Sequence, residues 1–271
     1  MISSVGGRFC RTAPVLAAWM AAVLMMIILL PRELSAQAQS GRDIALRADR
    51  TDTSQTTSLT AAMTIRRGQQ TLRRVMTIKR KKDPAEEKQL IIFQEPPDIR
   101  QTAYLTWSYK DVRQDDSMWV YLPAESLTRR ISGGARKGAF MRSDFALEDI
   151  FRREVDEDEH TLLREEDLNG AKCYVLEAAP LFKTETSYTK RITWIRQDIY
   201  LPARVEYYGS GGKLLKVLVL GDYEKIQDIW VPKRQDMTAS GQDSSTSLVL
   251  SGIVFDQPLA GDQFQSENLK R

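Results

Sequence analysis

The chain has 271 residues, 42% of them hydrophobic and 28% charged, with a formal net charge of +3, enough to bury a sizeable core in one or two domains. Arg8, Arg11, Arg32 and Glu33 all precede residue 39, so the remainder sits near about +1 and its charge balance gives no footing to a nucleic-acid role. Cys10 lies in the N-terminal stretch and Cys173 is alone beyond it, which excludes an internal disulfide scaffold.

Arg8 and Arg11 precede the apolar run 15–30, and Ala36-Gln37-Ala38 supplies small residues before a cleavage point. Residues 1–38 therefore read as a signal peptide cleaved after Ala38 and residues 39–271 as the exported body. An inner-membrane anchor through residues 15–30 is the alternative, because that run approaches spanning length. Residues 43–49 set Ile44, Leu46 and Ala48 among charges and predict a short helix, ended by the polar run 51–57.

Strands dominate the chain from residue 59 onward. Residues 59–65 and 72–78 flank the turn Arg67-Gly68-Gln69, with Leu72, Arg74, Met76 and Ile78 on one side of the second strand and Arg73, Val75 and Thr77 on the other. A strand over 89–93 must stop near Glu95-Pro96-Pro97, where two prolines remove ladder donors. Over 102–109, Ala103, Leu105, Trp107 and Tyr109 form a large apolar face that needs a covering layer or lines a cavity.

Residues 118–122 and 127–131 predict two short strands around a turn at Pro123. The glycine-rich run 132–139 leads into an amphipathic segment, 143–151, where Asp144 can cap a turn and Phe145, Leu147, Ile150 and Phe151 offer apolar contacts. The acidic tract 154–159 reads as a solvated loop, and beside the single histidine, His160, it lacks the ordered glycine loop of a calcium site. Strands resume at 172–178, 188–195, 203–208, 214–223, 230–237 and 247–255, separated by Asn, Asp, Gly and Pro. So many strands with so few helices argue for an antiparallel β architecture, either a sandwich or a curved, incompletely closed barrel.

One run of motifs carries a resemblance. Trp119-Val120-Tyr121-Leu122-Pro123, then Arg129-Arg130-Ile131-Ser132, then Phe140-Met141, Ser143-Asp144-Phe145 and Glu148-Asp149 resemble the signature of the outer-membrane lipoprotein-sorting protein family, the LolA-like carriers in the broad sense. Further matches lie in 95–105, 173–180, 200–218 and 229–237, so the resemblance spans nearly all of the chain after its N-terminal extension. Arg142 departs from it, standing where family members have a small residue.

The resemblance makes residues 39–271 a single domain and implies a mainly β fold with minor α: a curved, incompletely closed antiparallel β-barrel whose apolar cavity is covered by short helices, with 41–49 and 143–151 as the covering segments. It implies a periplasmic carrier that binds the acyl chains of lipoproteins or lipids and moves them toward the outer membrane. An inner-membrane transporter and an outer-membrane acceptor are its implied partners, and no cofactor is called for. The alternative is a non-catalytic periplasmic adaptor of an envelope transporter.

Enzymatic chemistry finds a poor inventory by comparison. Ser132 is outside any nucleophile-elbow motif, His160 is isolated among acids, and capping explains Asp144, Glu148 and Asp149. Trp107, Trp119, Tyr121, Phe140, Met141 and Phe145 are the expected cavity or lid residues, since aromatics and methionine shape an adaptable apolar chamber. Arg129, Arg130, Arg136 and Arg142 are the expected rim or head-group residues, with guanidinium forks suited to oxyanions.

Overall fold

In the computed structural model the described residues are 1–2, 39–181 and 186–270. The leader and anchor readings for residues 1–38 lie almost wholly outside them. Among the described residues no helix is long and apolar enough to cross a membrane.

The alternating patterns from residue 56 onward build thirteen strands: β1 (Thr56–Arg67), β2 (Gln70–Lys82), β3 (Glu86–Glu95), β4 (Ala103–Tyr109), β5 (Ser117–Leu122), β6 (Leu127–Ile131), β7 (Asp158–Leu168), β8 (Ala171–Pro180), β9 (Lys190–Arg196), β10 (Pro202–Tyr208), β11 (Leu214–Ile226), β12 (Ile229–Ala239) and β13 (Ser244–Phe255). They form one antiparallel sheet in the order β6-β5-β4-β3-β2-β1-β13-β12-β11-β10-β9-β8-β7. Two meanders, β1–β6 and β7–β13, are thus joined through the β1–β13 ladder, and β6 and β7 remain as unpaired edges. The curved sheet does not close into a barrel.

Register follows the hydrophobic pattern. Leu59 faces Ile78 and Met63 faces Arg74 across β1 and β2, so the side bearing Arg74, Met76 and Ile78 is the inner one. Ala61, Met63, Ile65, Met76, Ile91, Phe93, Tyr104, Met118, Val120, Val205, Leu218, Met237 and Leu250 join there in the largest core cluster. The acidic tract expected to be a loop runs straight into β7. Its alternation is masked because this edge strand exposes most of its residues, and charge on an exposed edge is how sheets avoid pairing with strangers.

The single α-helix described, α1 (Gly41–Asp49), starts in a capping box: Asp43 N donates to Ser40 Oγ at 3.1 Å and Ser40 N to the Asp43 carboxylate at 3.3 Å. Ile44 and Ala45 pack on Leu176 and Ile195. A Cβ on Gly41 would meet His160 O at 2.6 Å and Leu162 N at 2.7 Å, so only glycine lets α1 lie this close to β7. The amphipathic segment 143–151 is not an α-helix. It is irregular, with a 3-10 turn at Leu147–Ile150 just after another at Phe140–Arg142, because its polar side chains bond to the sheet and to its own backbone.

The outer face of β3–β5 carries a second cluster. Leu90, Ala103 and Leu105, with Ile92, Trp107, Trp119 and Tyr121, pack under Phe264 and Leu269 of the C-terminal segment. Trp107 and Trp119 meet edge to face at 5.2 Å, and Trp107 Nε1 donates to Phe264 O at 3.0 Å. The large apolar face of 102–109 is therefore covered by the chain's own C-terminal segment. Phe264 is among the largest fully buried side chains. Replacing it with alanine should cost about 3–5 kcal/mol of unfolding free energy, measurable by urea denaturation and accompanied by a change in the Trp107/Trp119 fluorescence.

Candidate functional site

Residues 132–157 link the two free edges, β6 and β7, and pass across the inner face as a strap. The strap doubles back on itself: Phe140 N donates to Phe145 O at 2.7 Å, Leu147 N to Gly138 O at 2.9 Å, and Ser143 Oγ to Phe140 O at 2.6 Å. Phe140, Phe145 and Leu147 are buried in the inner-face cluster. The Phe140 ring lies 5.8 Å from Phe93 and 5.2 Å from Tyr104, and the Tyr104 hydroxyl donates to Met141 Sδ at 3.3 Å.

The acids of the strap are its fasteners. Asp144 accepts from Ser244 Oγ at 2.5 Å and Thr246 Oγ1 at 2.6 Å on β13. Glu148 accepts from Thr186 Oγ1 at 2.6 Å and Ser187 N at 3.1 Å. Asp149 is deepest: it pairs with Lys216 of β11 and accepts from Tyr188 Oη at 2.7 Å and Ala146 N at 2.6 Å. Lys216 lies 5.1 Å from the centroids of both Tyr188 and Tyr207. Burial and the Asp149 carboxylate hold the Tyr188 hydroxyl well above the ordinary phenol range.

Two cavities stand out among the described residues, the larger of them bounded by the strap. One, ≈ 210 Å³, is lined by Leu59, Ile78, Leu201, Ile229, Val231, Leu250, Ile253 and Phe255, with Asp52, Arg80 and Gln89 at one end. The other is a polar cleft of ≈ 880 Å³ lined by residues at or near both free edges, Arg130 and Ser132 on one side and Glu157 and Arg191 on the other, with Arg113, Arg136, Phe151, Arg152 and Arg153 between. Buried Glu87 links them, 3.7 Å from Arg80 and 3.5 Å from Arg152; burial pushes its pKa up against those cations. Asp116 in the cleft is pushed up to about 6, first by burial and then, against the Tyr109 N–H that it accepts, by the charges of Glu157 and Glu154.

The structure divides the residues expected to form one chamber. Phe140, Met141 and Phe145 come together on the inner face, whereas Trp107, Trp119 and Tyr121 are in the outer cluster beneath the C-terminal segment. The reason is the pleat: Tyr104 and Val120 point inward, so their neighbours point outward. Of the rim arginines, Arg130 and Arg136 line the cleft, Arg136 donating to Asp116 O and stacking 4.9 Å from Phe151. Arg129 instead pairs with Glu125 on an exposed turn. Arg142 is exposed at the bend of the strap. Sequence reasoning missed Lys216, Arg152, Arg153 and Arg191. The adjacent Arg152-Arg153 pair ahead of the acidic tract was the available signal.

The backbone at Arg142 is one that favours a small residue. Its φ is 63°, directly after Met141 at 49°, a left-handed conformation that strains any residue with a Cβ. Arg142→Gly should therefore raise stability by about 1 kcal/mol, read as a higher urea midpoint with an unchanged slope. The buried pair makes the opposite demand. Asp149→Asn should cost about 3–5 kcal/mol, since it strands a buried ammonium; combined with Lys216→Met, the loss should fall well short of the sum of the single losses in a double-mutant cycle.

A family model described as "Uncharacterized protein" matches residues 85–271. No curated protein matches the chain. Among solved structures, a DUF1329 family protein from Desulfovibrio piger is 40% identical over 84% of this chain and 97% of its own, with a TM-score of 0.82. A candidate outer membrane lipoprotein-sorting protein domain from Vibrio parahaemolyticus is 32% identical over 85% of this chain and 98% of its own, with a TM-score of 0.81. A LolA superfamily protein from Nitrosomonas europaea, 20% identical over 83% and 97% of the two chains, shares the fold at a TM-score of 0.68.

Proposed function

The chain belongs to the family of the DUF1329 protein and the outer-membrane lipoprotein-sorting domain, LolA-like in fold, and from that premise we propose that it is a periplasmic carrier of acylated cargo, lipid or lipoprotein, with no catalytic step. The observation that carries the reading is the strap. An apolar inner face is met by three buried apolar side chains, flanked by Met141, Ile150 and Phe151, on an irregular segment fastened by polar contacts at its acids.

Such a cover can be exchanged for cargo. At ≈ 210 Å³ the apolar cavity is smaller than an ordinary ligand pocket, so acyl chains enter by displacing Phe140, Phe145 and Leu147 from the inner face. Each buried methylene contributes about 0.8 kcal/mol, and the returning strap side chains recover much of that on release. Exchange of one apolar occupant for another keeps binding reversible, as transfer between two membranes demands. The larger cleft at the open seam, with its arginines, is the natural entry. In this reading residues 1–38 are the export leader, and an inner-membrane donor and an outer-membrane acceptor are the partners.

The test is a neutral, environment-sensitive probe such as N-phenyl-1-naphthylamine. It should bind the protein at micromolar concentration, be displaced by the lipid extract of the native membrane, and enter faster in Asp149→Asn, whose strap is loosened. A folded protein that takes up neither probe nor extract is not a carrier.

A further inference from the structure

Arg74 is the buried cation that the strap's ion pairs leave out. It is on the inner side of β2, is 6% exposed, and its Nε has no hydrogen-bond partner. Among the described residues it enters no ion pair, whereas Arg80, Arg152, Arg153 and Arg191 are each matched by a carboxylate. Burial lowers its pKa, the exposed Asp98 raises it, and the like charge of Arg142 lowers it again. A guanidinium has donors and no acceptor of its own, and burying one without an oxyanion is unfavourable.

Its place under the strap follows from the sheet order. Phe140 is fastened over Phe93 of β3, and Asp144 over β13. β2 and β1 lie between those strands, so the strap crosses them at residues 141–143, above Arg74. There Met141 and Arg142 take left-handed backbone, and the charge of exposed Arg142 is near enough to act on Arg74. Tyr104, the nearby hydroxyl, is occupied by Met141.

We infer that Arg74, with Arg142 above it, receives the oxyanion head group, carboxylate or phosphate, of an amphiphile whose chain lies on the inner face. The inference rests on the carrier reading and narrows its cargo to anionic amphiphiles. An oxyanion between the two arginines would supply the acceptors that Arg74 lacks and turn their mutual repulsion into shared attraction for one guest. It also gives the strained bend a purpose, because the exposed cation reaches over the buried one only if the strap turns there.

Laurate and dodecanol, equal in chain length, are competed against the neutral probe on wild type, Arg74→Met and Arg142→Ala. Wild type should be displaced by laurate at least tenfold more readily than by dodecanol. The ratio should fall to within threefold of unity in Arg74→Met, whose melting temperature should not drop. Equal displacement by both in wild type, or a preference retained in Arg74→Met, overturns the head-group site and leaves the carrier standing; failure of probe and both competitors to bind overturns the carrier itself. Inorganic phosphate raising the melting temperature as much as dodecyl phosphate would reassign Arg74 to a free-anion site and overturn the inference. Should Arg74→Met not fold, Arg142→Ala decides: the laurate preference falls at least threefold, or the head group is not held there.

Discussion

A buried lysine–aspartate pair fastens the strap of this molecule to its sheet. Lys216 projects from β11 into the inner face, and Asp149 comes down from the strap to meet it. Neither charge would be tolerable there alone, so each specifies the position of the other. Tyr188 and the Ala146 amide complete the coordination of Asp149, and the apolar side chains of the strap are thereby seated on the sheet. Removing the pair would take the register of strap on sheet with it, while the ladders would remain.

This arrangement separates two tasks that a core usually merges. The outer cluster around Phe264 is a conventional packed layer that contributes stability. The inner cluster is closed by a segment without regular structure, whose backbone is satisfied largely within its own short turns. Such a segment can leave the sheet without breaking a ladder, so the energy of opening is set by a few polar fasteners and the strap's apolar side chains.

The sequence made much of the sheet legible. Alternation located most strands, and in 72–78 it placed Arg74 on the same side as Met76 and Ile78, as observed. It did not reveal β7, where an exposed edge replaces alternation with charge. It could show that Trp107 and Trp119 share a face, but a period of two does not say which face is inner; that was decided by a C-terminal segment with no strong pattern of its own. The family motif located the strap, yet the partners of its acids are far away in sequence, Asp149 to Lys216 above all. Local pattern read Asp144, Glu148 and Asp149 as caps; Asp149 does cap its turn through Ala146 N, but Asp144 bonds to β13 and Asp149 also to Lys216, ties to distant strands that no local pattern could show.

The ladder between β1 and β13 has a consequence for biogenesis. Thr57 is paired with Phe255 and Arg67 with Ser244, so the first strand of the sheet waits for the last before its second neighbour exists. A chain emerging from its N-terminus can zip β1 through β6 early, each strand meeting its successor, but it carries an open β1 edge until nearly everything else has been made. Contacts so distant in sequence form slowly, and an unpaired edge meanwhile invites foreign strands. The halves of the sheet are therefore most exposed to misassembly during synthesis, and a holding partner at that stage would protect β1 more than any other strand.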